Sequence, residues 1–310
     1  SNTRQTSKQK FMQSIKFEVG KELELDKKKW QVTKVLAETS DALLYEGKCI
    51  SCNPQQDVFI KVQPKHKMTS YQIRDEFVTM NELQKNNCDK FSQKSLAYGI
   101  YDDKMYVLIS PLYGSDLSSR KFEYNHVKEL SKSIMDALKS IHMCGIVHRD
   151  IKPGNIVFAD KNTNDKIKII DFGLSKSVFH FKTGNRITTP QYPEGTPVHK
   201  AIMMHAPEIT KHKYPMTFMD DIQGVAWTLL DMIGNLRWKN GKYNENQLLK
   251  LKKDFLKEND DVHANNVIRE LIQYTIDNIE KEINTIERQE LSKPHIENIY
   301  KDINKILNKL

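Results

Sequence analysis

The chain has 310 residues and carries 48 Lys and Arg against 40 Asp and Glu, a net charge of +8. With 38% hydrophobic and 9% aromatic residues it holds enough apolar material for a buried core, which excludes a disordered or fibrous chain. No apolar run approaches the ~18 residues of a membrane span, since the two most apolar windows, 105–112 and 225–233, are short and the second contains Asp231; no membrane contact is expected.

In chain order, residues 1–16 are polar and basic, have no apolar centre of the signal-peptide kind, and predict a flexible tail. Residues 30–36, 57–62 and 104–109 are short β-rich runs. They are interrupted by one helix over 71–85, with Phe77, Met80 and Leu83 on one side. Beyond Gly114 the pattern turns helical. Val127, Leu130, Ile134, Leu138 and Ile141 form an i, i+3/i+4 stripe, and further helices are predicted over 219–233, 262–283 and 295–310. Pro111 and Gly114 break the pattern at 110–115. The expectation is an α+β chain of two lobes with a cleft between them, β-rich first and helical second.

Four cysteines predict a reduced, intracellular protein of the cytoplasm and/or nucleus. Cys49-Ile-Ser-Cys52 is half of a zinc signature, but Cys88 and Cys144 are isolated, so the pair is assigned to a hairpin turn. The +8 charge is compatible with nucleic acid, with an acidic or phosphorylated partner, or with a solvated lysine-rich surface, and charge alone favours the last.

The chemistry concentrates in Ile146-Val-His-Arg-Asp-Ile-Lys-Pro-Gly-Asn155 and Ile169-Ile-Asp-Phe-Gly-Leu174. Asp150, Lys152, Asn155 and Asp171 flank two short apolar runs, 156–158 and 167–170. If those runs pair as strands, the loops before them bring two carboxylates and an amide into one site. Carboxylate and amide oxygens are hard ligands suited to Mg²⁺, and a neighbouring lysine suits phosphate.

These segments, with Ala206-Pro-Glu208 after them, resemble the catalytic and metal-binding motifs of the eukaryotic protein kinase superfamily. Phe17-Glu-Val-Gly20, Lys29-Trp30, Asp75-Glu-Phe77, Gly195-Thr196 and Asp220-Asp221 make it most similar to the casein kinase 1 and vaccinia-related kinase group. The resemblance implies a bilobal kinase domain over 17–310, with an N-lobe at 17–110, a hinge at 110–115 and a C-lobe at 115–310. It implies ATP and Mg²⁺ as cofactors, and a protein substrate that the charge suggests is acidic or pre-phosphorylated; nucleic acid is the less favoured partner. Asp150 would accept the substrate hydroxyl's proton, Lys152 would neutralise the transferred phosphoryl group, and Asn155 and Asp171 would hold the metal. Lys61 would hold the α- and β-phosphates, with Glu76 as its helix partner and Glu82 the competing choice. Leu36, Leu44, Phe59 and Ser110 would line the nucleotide pocket. His148 is expected to be a buried residue near Phe172, Thr196 to contact Asp150 and Lys152, and Asp221 to accept hydrogen bonds from the catalytic-loop backbone. Glu208 would pair with Arg269 or Arg288, and Thr183, Thr188 and Thr189 are candidate autophosphorylation sites.

Two departures from the family pattern stand out. The phosphate-covering loop, expected within 34–45, has Ala37, Thr39 and Ala42 where the family has glycines, and Asp41 near its tip. Phe59 stands where a small residue usually faces adenine, while Ser110 at the gatekeeper position is small. The readings are an active serine/threonine kinase, a pseudokinase or very weak kinase that works by binding, and, third, a small-molecule phosphotransferase, which the long path from Asp171 to Glu208 disfavours.

Overall fold

The computed structural model describes residues 7–39, 41–65, 71–179, 195–205, 217–287 and 292–310. It divides into two units, Ser1–Glu82 with Gln93–Leu112, and Leu83–Ser92 with Tyr113–Leu310.

The first unit is built on a six-stranded antiparallel sheet in the order β1-β2-β3-β4-β6-β5. Its strands are β1 (Glu22–Leu25), β2 (Lys28–Glu38), β3 (Leu43–Cys49), β4 (Gln56–Pro64), β5 (Ala97–Tyr101) and β6 (Met105–Pro111). Period-two alternation in β4 sends Val58, Ile60 and Val62 to one face, where they join Val32, Tyr45, Val107 and Ile109 in a buried core. Lys61 takes the alternate position.

For residues 7–16 that core corrects the expectation of a flexible tail, while residues 1–6 lie outside the described residues. Residues Ser7–Ser14 form helix α1, and Met12, Ile15 and Phe17 are buried in the sheet core. Three apolar side chains in six residues supply enough buried area to order the segment, and the Phe17 amide donates to the Tyr45 hydroxyl at 3.0 Å. Helix α2 (Tyr71–Lys85) follows β4; its Ile73 amide donates to Gln63 Oε1 at 3.1 Å, and Phe77 stacks on Tyr98 at 4.2 Å.

The second unit contains helices α3 (Tyr124–Met143), α4 (Phe218–Met232), α5 (Glu245–Lys257), α6 (His263–Glu287) and α7 (Lys293–Leu307). It also has short strands β7 (Ile146–Val147), β8 (Ile156–Phe158), β9 (Ile167–Ile169) and β10 (Lys176–Ser177). The stripe predicted on α3 is buried throughout. Every residue of α4 is buried, as expected of a helix at the centre of a helical core, and a capping box of Thr217 and Asp220 starts it. Residues Leu83–Ser92, assigned from sequence to the first lobe, belong with this unit. Two hydrogen bonds tie them there: the Ile169 amide donates to Phe91 O at 2.8 Å, and the Lys168 ammonium donates to Lys90 O at 2.6 Å.

All four cysteines are paired, Cys49 with Cys52 and Cys88 with Cys144. This corrects the expectation of free thiols. Cys49 and Cys52 do share the β3–β4 turn, whereas Cys88 and Cys144 are brought together only by the chain path after α2 and after α3. Among the described residues, no helix is long and apolar enough to cross a membrane.

Candidate active site

The loop after β7 carries His148, Arg149 and Asp150, and its shape is fixed from below by Asp221 of α4. The Asp221 carboxylate accepts the His148 amide at 2.7 Å and the Arg149 amide at 2.9 Å. It also accepts His142 Nε2–H at 2.8 Å. His142 Nδ1 then accepts the hydroxyl of the fully buried Tyr300, which burial, reinforced by Asp221 and Glu282, keeps protonated. Arg149 has φ +75° and Asp171 φ +62°, a region costly to non-glycine residues and concentrated at functional sites. Gly224 in α4 admits the loop, since a Cβ there would lie 3.1 Å from Ile151 Cβ.

His148 is buried, and both ring nitrogens are engaged. Nε2 faces the Ile170 carbonyl at 2.9 Å and so carries the hydrogen, while Nδ1 accepts the Asp150 amide at 3.1 Å. The ring packs edge-on against Phe172 at 5.1 Å. With no lone pair left over, His148 is a structural residue rather than a base.

β8 and β9 pair antiparallel, Ile156 opposite Ile169 and Phe158 opposite Ile167, as the sequence pattern predicts. Asn155 Nδ2 donates to Asp150 O at 2.9 Å and to Asp150 Oδ2 at 3.3 Å, which orients its amide and leaves Oδ1 as the ligand end. Asp150 Oδ1 accepts the Thr196 amide at 3.0 Å and the Thr196 hydroxyl at 2.7 Å. Lys152 Nζ donates to Thr196 Oγ1 at 2.9 Å and lies 3.8 Å from Asp150 Oδ2. Asp171 Oδ1 accepts the Gly173 amide at 3.3 Å. An Asn oxygen and an Asp carboxylate fit Mg²⁺, which takes few protein ligands and fills its octahedron with water and phosphate. Ala206-Pro-Glu208, Thr183, Thr188, Thr189 and Arg288 lie outside the described residues. Arg269 bonds Asp260 at 2.8 Å and the Phe255 carbonyl at 2.7 Å.

The segment from Gly195 to His205 rests on α5. Glu245 accepts Lys200 Nζ at 2.9 Å and His205 Nδ1–H at 2.5 Å. Burial, seconded by the Lys252 ammonium, lowers the His205 pKa from 6.5 to about 4. Because the folded state resists a proton that the unfolded chain accepts, His205 contributes stability that is complete above pH 6.5 and lost as pH falls toward 4. We expect melting curves to lose on the order of 3 kcal/mol from this group over that window, and His205→Gln to flatten that slope.

In the first unit, Lys61 Nζ donates to Glu76 Oε2 at 3.0 Å, with the Glu76 side chain only 2% exposed. The pairing selects Glu76 over Glu82. Leu44 stands opposite Lys61, and Phe59 opposite Ser110, so strand alternation sets Leu44, Phe59, Lys61 and Ser110 on one sheet face. Leu36 falls at a register irregularity between Val35 and Ala37 and is 39% exposed. Two features escaped the sequence reading. Gln93 Nε2 donates to Ser110 Oγ at 3.0 Å, so the Ser110 hydroxyl is already engaged. Thr39 Oγ1 accepts the amides of Ala42 at 2.9 Å and Asp41 at 3.3 Å, so the glycine-poor loop bonds its own N–H groups. A hydroxyl two or three residues before a turn amide is the signal for that contact.

A family model described as the protein kinase domain matches residues 47–293. The chain belongs to the protein kinase family. The vaccinia related kinase 3 structure superposes with a TM-score of 0.67 at 16% identity, covering 87% of this chain and 88% of that one. The kinase fold is therefore present, with its β-sheet N-lobe and helical C-lobe. The probable serine/threonine-protein kinase fnkE of Dictyostelium discoideum is 36% identical over 38% of this chain and 9% of its own length. Calcium-dependent protein kinase 5 of Plasmodium berghei is 27% identical over 66% of this chain and 35% of its own. The kinase chain thus spans about a third or less of these relatives.

Proposed function

We propose that this chain is an ATP-dependent serine/threonine protein kinase of the casein kinase 1 and vaccinia-related type. The observation that carries the reading is the Thr196 hydroxyl, bonded at once to Asp150 and Lys152. It holds the proposed base and the proposed phosphate-neutralising cation around a point where an aliphatic hydroxyl fits. In the proposed reaction the substrate oxygen attacks the γ-phosphorus, its proton passes to the Asp150 carboxylate, and ADP departs with the former bridging oxygen. Mg²⁺, held by Asn155 and Asp171, would neutralise phosphate charge when bound. Lys61, oriented by Glu76, would hold the α- and β-phosphates, and Leu36, Leu44, Phe59 and Ser110 would line the nucleotide pocket. Where the excess of basic residues serves recognition rather than solvation, its complement is an acidic or already phosphorylated protein substrate.

A specific observation also favours the second reading, a pseudokinase or very weak kinase. The Asp41 and Ala42 amides, which a glycine-rich loop would offer to phosphate, are spent on Thr39 Oγ1. The test is an ATP titration with and without Mg²⁺, followed by thermal shift, on the wild type and on Thr39→Gly. Releasing those amides should tighten ATP binding by up to about tenfold, the worth of one or two net hydrogen bonds. A Mg²⁺-dependent shift with label transfer to a serine or threonine peptide supports the enzyme. No shift and no transfer in either protein would leave only the binding role.

A further inference from the structure

Lys252 is a charged residue that the proposed phosphate transfer does not use, and it is 0% exposed at a core position of α5. A buried ammonium is tolerated only when its three N–H donors are all satisfied. Here they go to Pro197 O at 2.8 Å, Lys200 O at 2.7 Å and His205 Nε2 at 2.7 Å. His205 is a neutral acceptor there because its Nδ1 hydrogen is given to Glu245.

Two of the three acceptors are backbone carbonyls of the turn that begins at Thr196. The turn closes on itself, with the His199 and Lys200 amides donating to Thr196 O at 3.1 and 2.9 Å. Its far side is hooked by the Trp238 indole on Val198 O at 3.0 Å and by the His199–Asp231 bond at 2.8 Å. Its near end is Thr196, whose amide and hydroxyl both reach Asp150. Gly195 makes the approach possible, with φ +118° and room for no Cβ within 2.9 Å of Arg149 O. A rigid turn pinned by α5 at one end thus delivers a hydroxyl to the carboxylate at the other.

We propose that Lys252 is a positioning residue: by fixing the Pro197 and Lys200 carbonyls it holds Thr196 against Asp150 and Lys152, and so sets how efficiently a protein hydroxyl is accepted. The inference rests on the kinase reading for its catalytic half, and on geometry alone for its structural half. Burial, seconded by the Lys200 charge, lowers the Lys252 pKa well below its ordinary value, a cost to the ammonium that the three converging acceptors offset.

The experiment measures hydrogen exchange and peptide kinetics on the whole chain for wild type, Lys252→Met, Thr196→Ala and the double variant. In Lys252→Met, the Thr196, His199 and Lys200 amides should exchange at least about tenfold faster. The His148 and Arg149 amides, held by Asp221, should not change. Peptide kcat/KM should fall about tenfold with the ATP KM unmoved, and the loss should vanish, to within about twofold, in the Thr196→Ala background. If Lys252→Met does not fold, Lys252→Gln keeps two N–H donors and should give intermediate exchange. Unchanged protection of the turn in a folded variant overturns the proposal. Losses that add with Thr196→Ala overturn the route through Thr196. If the wild type transfers no phosphate, the kinase reading falls, and exchange alone decides the positioning role.

Discussion

Asp150→Asn should lower phosphate transfer by about 10²- to 10⁴-fold, the range expected for loss of a positioned base, while Mg²⁺-dependent ATP binding stays within about twofold. The amide is nearly isosteric with the carboxylate, so an oxygen remains to accept the Thr196 amide and hydroxyl. What it loses is the capacity to take a proton and the negative charge 3.8 Å from Lys152. Single-turnover transfer to a serine peptide, beside an ATP titration by thermal shift, separates the two effects. Transfer at the wild-type rate would remove Asp150 from the role of base. A parallel loss of ATP affinity would mean that its role is structural.

Asp221→Ala should be the most destabilising single change among the described polar residues of the catalytic loop's support. One buried carboxylate satisfies three donors, the His148 and Arg149 amides and His142 Nε2–H. Each buried donor left without a partner costs about 1–3 kcal/mol, and breaking a buried charged network about 3–5 kcal/mol. Against a typical stability of about 5–15 kcal/mol, that is a large share. Asp221→Asn should recover little, because its NH₂ group would face N–H donors. Chemical denaturation monitored by tryptophan fluorescence, with Trp227 and Trp238 buried in the same unit, reads the midpoint. An unfolding free energy within about 0.5 kcal/mol of wild type, the ordinary effect of a surface change, would contradict the support drawn from Asp221.

The legible parts of this fold are those in which the chemistry lies close along the chain. The stripe from Val127 to Ile141 announces α3, the apolar runs at Ile156 and Ile167 announce the β8–β9 pair, and the bounds of α2 fall where the pattern puts them. Asp150, Lys152 and Asn155 are spaced so that one loop turn gathers them, and Thr196 reaches the same carboxylate. Helix α5 was not legible, because a lysine occupies the core position between Leu248 and Phe255 and interrupts the apolar stripe. Helix α1 was hidden for the opposite reason: two apolar residues among polar ones do not make a stripe, and only the sheet core beneath Met12 and Ile15 gives them a place to bury.

By itself the sequence pointed to the family, to Asp150, Lys152, Asn155 and Asp171 as candidates for the proposed reaction, and to helices α3 and α4 and the β8–β9 pair, since each rests on local spacing and residue type. Only the tertiary structure decided that Lys61 takes Glu76, that Thr39 consumes the amides of its own loop, that Gln93 occupies the Ser110 hydroxyl and that Lys252 anchors the Thr196 turn. Apart from the Thr39 contact, which spans a tight turn, these bonds join residues 15 to 55 positions apart. Such partners compete with every other donor and acceptor in the chain until packing removes water and brings one pair together.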